Sequence, residues 1–200
     1  MIRNIVFDLG RVLVGFQPDA YLRSFGYDEE TVQTLLQTIF GPTWRFYDRG
    51  DIPTVIALRE RLVHDYPNYE AQIHRVLRPD WVKIHTLKED TAAYLHELKG
   101  RGYRIYLLSN LARESHAFVR GYDFFSDLDG GVFSYQEHVC KPEEEIYHIL
   151  LDRYDLLPEE TLFLDDCAEN IEAAERLGIR GIVFTELSAV IPQVEALLAN

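Results

Sequence analysis

Apolar residues fall into two rhythms along the 200-residue chain. Short unbroken runs such as Ile5-Val6-Phe7, Ile105-Tyr106-Leu107-Leu108, Leu162-Phe163-Leu164 and Ile182-Val183-Phe184 read as strands buried on both faces, as in a parallel sheet. Longer stretches repeat every three or four residues, the period of a helix with one buried side. The runs predict strands at residues 4–8, 103–108, 131–134, 161–164 and 181–184. The helical period predicts helices at 88–99, 113–120, 143–154, 170–177 and 190–198. Ile146, Ile149 and Leu150 show that period in the third of these helices. Gly100 and Gly178 are natural stops.

Residues 18–85 break this alternation and show no strand pattern. They read as short helices at 18–25, 28–40 and 69–77, with another that runs to Val63. For that one Asp51 is the expected N-cap and Pro53 an early helical residue. Strands alternating with helices mean βαβ units. The expected class is therefore α/β, a Rossmann-like parallel-sheet core from residues 1–15 and 86–200. Residues 16–85 form an inserted helical cap.

Composition narrows the partners. Lys plus Arg number 20 and Asp plus Glu 33, a net charge of −13. Nucleic acids and anionic membranes need clustered basic residues, so neither is an expected partner. A small phosphate remains compatible if a metal and local donors supply the positive field. No apolar run approaches a membrane span, and the start of the chain lacks the charged-then-apolar signal pattern. A cytoplasmic protein is expected, a monomer or weak homodimer. Cys140 and Cys167 are too few for a disulfide framework or a tetrahedral zinc site, and Cys167 reads as a small packing residue.

Three predicted strands end in polar residues: Asp8, Ser109 and Asp165-Asp166. Parallel strands bring those ends to one edge of the sheet, where open α/β sheets place ligands. Lys141, after a fourth strand, can join from the side. Crowded carboxylates repel unless one is protonated or a cation intervenes, and oxygen donors suit Mg²⁺. Each residue also has a plainer reading. Asp165-Asp166 and Ser109 are good helix caps, and an isolated lysine is ordinarily solvated.

Ile5-Val6-Phe7-Asp8-Leu9-Gly10, Leu108-Ser109-Asn110, Lys141-Pro142 and Leu164-Asp165-Asp166 with Asn170 resemble the four ordered motifs of the haloacid dehalogenase superfamily. The similarity spans the whole core, and the nearest branch is the sugar-phosphate phosphatases with an Asp-Leu-Gly first motif. It implies a Mg²⁺-dependent phosphatase of a small phosphorylated metabolite, a sugar phosphate, with Asp8 as covalent nucleophile. It implies Mg²⁺ held by Asp8, the Gly10 carbonyl and Asp166, with Asp165 acting through water or by orienting Lys141. Ser109, Asn110 and Lys141 would bind the phosphoryl group, Arg11 would contact phosphate or substrate, and Asn170 would support the metal loop.

One position departs from that pattern. The usual phosphatase of the superfamily carries a second Asp two residues after the nucleophile, as general acid, and here the position is Gly10. Alternatives are therefore a phosphotransferase, a non-catalytic regulator that binds a phosphorylated metabolite, and a metal-free 2-haloacid dehalogenase. Paired acids at 165 and 166 disfavour the last, since they would repel a carboxylate substrate. In the cap, Trp44, Arg45, Tyr47 and Arg49 either contact the substrate or divide into buried aromatics and solvated arginines.

Overall fold

The structure, a computed structural model, describes residues 1–199. It opens with β1 (Asn4–Phe7), every residue of which is buried. After a turn, β2 (Val14–Gly15) pairs antiparallel with β3 (Thr86–Leu87). Five α-helices lie between these two short strands: α1 (Pro18–Arg23), α2 (Glu29–Ile39), α3 (Pro42–Asp48), α4 (Val55–Asp65) and α5 (Glu70–Val76). Their apolar sides meet in a core of their own, built around Leu22, Leu35, Tyr47, Leu58, Leu62 and Trp81.

The remainder alternates: α6 (Glu89–Gly100), β4 (Arg104–Ser109), α7 (Arg113–Val119), β5 (Gly130–Phe133), α8 (Ser134–Glu137), α9 (Glu144–Tyr154), β6 (Thr161–Asp165), α10 (Ala168–Arg176), β7 (Arg180–Val183) and α11 (Leu187–Leu198). Five strands form one parallel sheet in the order β5-β4-β1-β6-β7. Alternate side chains of each strand go to opposite faces. Ile5, Phe7, Leu107 and Leu164 pack on one face with Leu95 and Leu98 of α6 and Val190 of α11. Val6, Leu108 and Phe163 pack on the other with Ile146 and Leu150 of α9 and Ile171 of α10. Burial on both faces is the physical reason for the unbroken apolar runs. Among the described residues no helix is long and apolar enough to cross a membrane.

Four local features differ from the sequence expectation. The N-cap of α4 is Thr54, whose hydroxyl accepts the Ala57 N–H at 3.2 Å, and Asp51 lies outside the helix, beside Arg49. Pro53 biases the residue before it toward extended backbone, so the helix starts after the proline. Helix α3 occupies a stretch in which no helix is expected; Gly41 precedes it and Pro42 fits its first turn. The β2–β3 pair is too short to show any alternation. The last helix also begins at Leu187, ahead of the expected position 190.

Candidate active site

Register decides the site. Phe7 lies opposite Leu107 on one side and Leu164 on the other. The residues that follow, Asp8, Leu108-Ser109 and Asp165, therefore come level at the carboxyl edge. The Asp8 amide continues the ladder, donating to the Leu164 carbonyl at 2.8 Å.

Lys141 fills the space between these strand ends and is almost completely buried. Its ammonium donates to Asp8 Oδ1 at 2.6 Å, Asp165 Oδ2 at 2.6 Å and the Leu108 carbonyl at 2.7 Å. All three donors of one ammonium are thereby engaged. Asp165 is held from its other side, by the Cys167 N–H at 2.8 Å and by Asn170 Nδ2 at 2.9 Å, both to Oδ1. Asn170 is itself fixed, because its carbonyl accepts the Tyr147 hydroxyl at 2.8 Å. The loop after β6 thus needs an Asn one turn into α10 to orient Asp165.

The electrostatics follow from two buried carboxylates sharing one cation. Burial pushes the Asp8 carboxyl up to about 7; the Lys141 charge opposes this and the Asp165 charge adds to it. Burial pulls the Lys141 pKa down, but Asp8 and Asp165 together outweigh it and hold the ammonium above the ordinary lysine range. Carboxylate oxygens of Asp8, Asp165 and Asp166 lie within 4.8 Å of one another. With Lys141 committed, this crowd of oxygens has the composition of a hard-cation site.

A family model of haloacid dehalogenase-like hydrolases matches residues 5–178. The chain belongs to that family. This hydrolase is 32% identical over 190 residues to the D-ribitol-5-phosphate phosphatase of Bacteroides thetaiotaomicron, covering 89% of each chain. It is 28% identical over 200 residues to the sesquiterpene phosphatase astK of Aspergillus oryzae, covering 96% of this chain and 95% of that one. Among solved structures, a HAD-like hydrolase from Porphyromonas gingivalis superposes with a TM-score of 0.80 at 25% identity, over 100% of this chain and 99% of that one. A HAD family enzyme of Bacteroides thetaiotaomicron, solved with magnesium and inorganic phosphate, superposes with a TM-score of 0.71 at 23% identity, over 95% and 99%.

In this hydrolase Asp8, Gly10, Arg11, Asn110, Lys141, Asp166 and Asn170 line one open cavity of about 260 Å³, together with Phe16. Ser109 ends β4 beside it and is buried. Asn110 differs from the expected substrate contact in how its amide is used, since both ends bond the Lys141 backbone. Arg11 sits at a positive φ of 60° and reaches Asp166 Oδ2 at 3.4 Å with its side chain 63% exposed. Its carbonyl accepts from Lys88 Nζ at 3.0 Å, which ties the turn after β1 to the chain leaving β3.

The cap cluster divides. Trp44 and Tyr47 are buried, with Trp44 edge-on to Trp81 and the Tyr47 hydroxyl donating to Glu114 at 3.0 Å. The two arginines bind the sheet-bearing part of the chain. Arg45 pairs with Glu143 at 2.9 Å, and Arg49 donates to the His138 carbonyl at 2.6 Å. Sequence reasoning passed over Asp48, which lines a second compartment with Gly10, Phe16, Trp44, His85 and Asn110. Its position four residues after Trp44 was the available signal, because i and i+4 share a helix face.

Proposed function

We propose that this phosphatase hydrolyses a small phosphorylated metabolite, a sugar or sugar-alcohol phosphate, through an aspartyl-phosphate on Asp8. The observation that carries the reading is the pairing of Asp8 with buried Lys141 at the strand edge. Asp8 Oδ1 is fixed by the ammonium at 2.6 Å, so the carboxylate faces the cavity in one orientation. A positioned carboxylate of this kind serves as a covalent nucleophile toward phosphorus. In this reading Ser109 holds a phosphoryl oxygen, and Lys141, whose donors are engaged by Asp8, Asp165 and the Leu108 carbonyl, offsets the phosphoryl charge.

Mg²⁺ is the metal proposed. The oxygen-only donor set fits it, with Asp8, Asp166 and the Gly10 carbonyl as ligands and Asp165 orienting Lys141. When bound, Mg²⁺ would lower the repulsion between an anionic nucleophile and an anionic substrate. The compartment under the cap holds about 60 Å³ beside open cavities of about 260 and 250 Å³, and the 32% identity to the D-ribitol-5-phosphate phosphatase favours a polyol leaving group.

The test is phosphate release from a panel of sugar, sugar-alcohol and terpenyl phosphates, with Mg²⁺, with a chelator and with Asp8→Asn. Release from a sugar or polyol phosphate that needs both metal and Asp8 is expected. Ligand binding or a stable aspartyl-phosphate without release would instead favour the regulator or phosphotransferase reading that Gly10 raises.

A further inference from the structure

Gly10 leaves the site without a proton carrier on the strand-end loop. A Cβ at this position would meet only Asp8 Oδ2, at 3.9 Å, so the space beside the nucleophile is open. The compartment that opens there is roofed by the cap, and its lining includes one carboxylic acid, Asp48.

Asp48 is the last residue of α3. Its backbone is anchored to the sheet-bearing part of the chain. The Ser134 hydroxyl donates to the Asp48 carbonyl at 2.5 Å, and Ser134 Oγ in turn accepts the Leu111 N–H at 2.9 Å. Leu111 directly follows Ser109-Asn110, so this link ties the cap acid to the loop that ends β4. The Ala112 amide and the Trp44 indole are hydrogen-bonding neighbours of its carboxyl. Burial holds that carboxyl well above the usual carboxylate range; those two donors oppose the effect, and the charge of Asp8 reinforces it.

The other titratable groups around Asp48 do not offer an equivalent proton. Burial lowers the pKa of His85, on the same wall, and its Nδ1 is 3.0 Å from the Val82 carbonyl. Arg45, Cys140 and Lys141 border the adjoining opening. Lys141 is committed to two carboxylates, and burial pushes the Cys140 thiol up to about 11.

We propose that Asp48 is a catalytic residue, the cap-borne acid and base for the reaction at Asp8. The step rests on the aspartyl-phosphate reading above. As an Asp8 oxygen bonds phosphorus, the bond from phosphorus to the leaving-group oxygen breaks and that oxygen takes the Asp48 proton. The Asp48 carboxylate then takes a proton from the water whose oxygen attacks the phosphorus of the aspartyl-phosphate. Inorganic phosphate leaves, Asp8 is restored as a carboxylate and Asp48 as an acid. Because the acid arrives with the cap, proton delivery depends on the packing of α3 against the strand-end loops.

The experiment compares two esters in Asp48→Asn: a polyol phosphate, whose leaving group needs a proton, and p-nitrophenyl phosphate, whose leaving group does not. Loss of a general acid is expected to lower kcat/KM for the polyol ester by about 10²–10⁴-fold. The aryl ester should keep a fast first turnover, a burst of one nitrophenolate per site, with aspartyl-phosphate accumulating as the water step slows. The ratio of the two rates within one variant does not depend on the fraction folded, and Asp48→Ala takes the place of a variant that fails to fold. Equal losses on both esters with no burst would overturn the proposal and leave Asp48 a packing residue. Turnover that survives Asp8→Asn in the otherwise unaltered chain would instead overturn the nucleophile reading, independently of Asp48.

Discussion

Asn110 and Lys141 hold each other through a closed pair of hydrogen bonds. Asn110 Nδ2 donates to the Lys141 carbonyl at 3.0 Å, and the Lys141 amide donates to Asn110 Oδ1 at 2.8 Å. The pair joins the loop after β4 to the loop before α9 and so sets where the ammonium sits. Asn110→Ala should leave both backbone groups without that partner, costing about 1–3 kcal/mol of stability. Displacing the ammonium by an ångström should lower kcat by about 10²-fold. Urea unfolding and steady-state kinetics measure the two effects; unchanged kcat would mean Lys141 is positioned without Asn110.

Lys141 is the cation that two buried carboxylates share. Lys141→Met should leave Asp8 and Asp165 facing each other uncompensated, at a cost of about 3–5 kcal/mol. Urea denaturation at neutral pH reads this directly, and phosphatase activity should vanish with it. A variant as stable as the parent would show that the carboxylates are already discharged.

Gly50 lies where the cap touches the sheet-bearing part. Its φ is +82°, and a Cβ would fall 2.6 Å from the Tyr135 carbonyl oxygen. Gly26, at φ +77°, has nothing within 4 Å of the same position. Gly26→Ala should therefore cost only the left-handed backbone penalty, about 1–2 kcal/mol. Gly50→Ala should cost more than that, because a backbone atom has to move. Thermal unfolding of the two variants side by side tests the ordering, and equal losses would show that the contact yields freely.

His116 stacks on Phe133 with ring centroids 4.1 Å apart, and burial pushes its pKa down to about 4. In the unfolded chain an ordinary histidine titrates near 6.5. Between those values the unfolded state holds more protons, so this group adds stability as pH rises. Its contribution is complete above about pH 6.5 and lost as pH falls toward 4. His116→Phe should flatten the fall in Tm over that window relative to the parent chain, and parallel pH profiles would remove His116 as a cause.

The sheet, its parallel sense and the strand-end placement of Asp8, Ser109 and Asp165 were legible in the sequence. Burial on both faces leaves an unbroken apolar run, and a run that stops at a carboxylate marks the edge. Local spacing decided no more than that. Which oxygen of Asp165 meets Lys141, and that Asn110 is spent on the Lys141 backbone, depend on loops that approach across 24 and 31 residues of chain. The fate of Arg45 and Arg49 turned on Glu143 and His138, about 90 to 100 positions away. Thr54 took the cap expected of Asp51 because of the proline between them. The role argued for Asp48 was the least visible. A carboxylic acid in a helix reads as solvated until tertiary packing places it in a compartment with Gly10, Trp44 and His85, where desolvation raises its pKa.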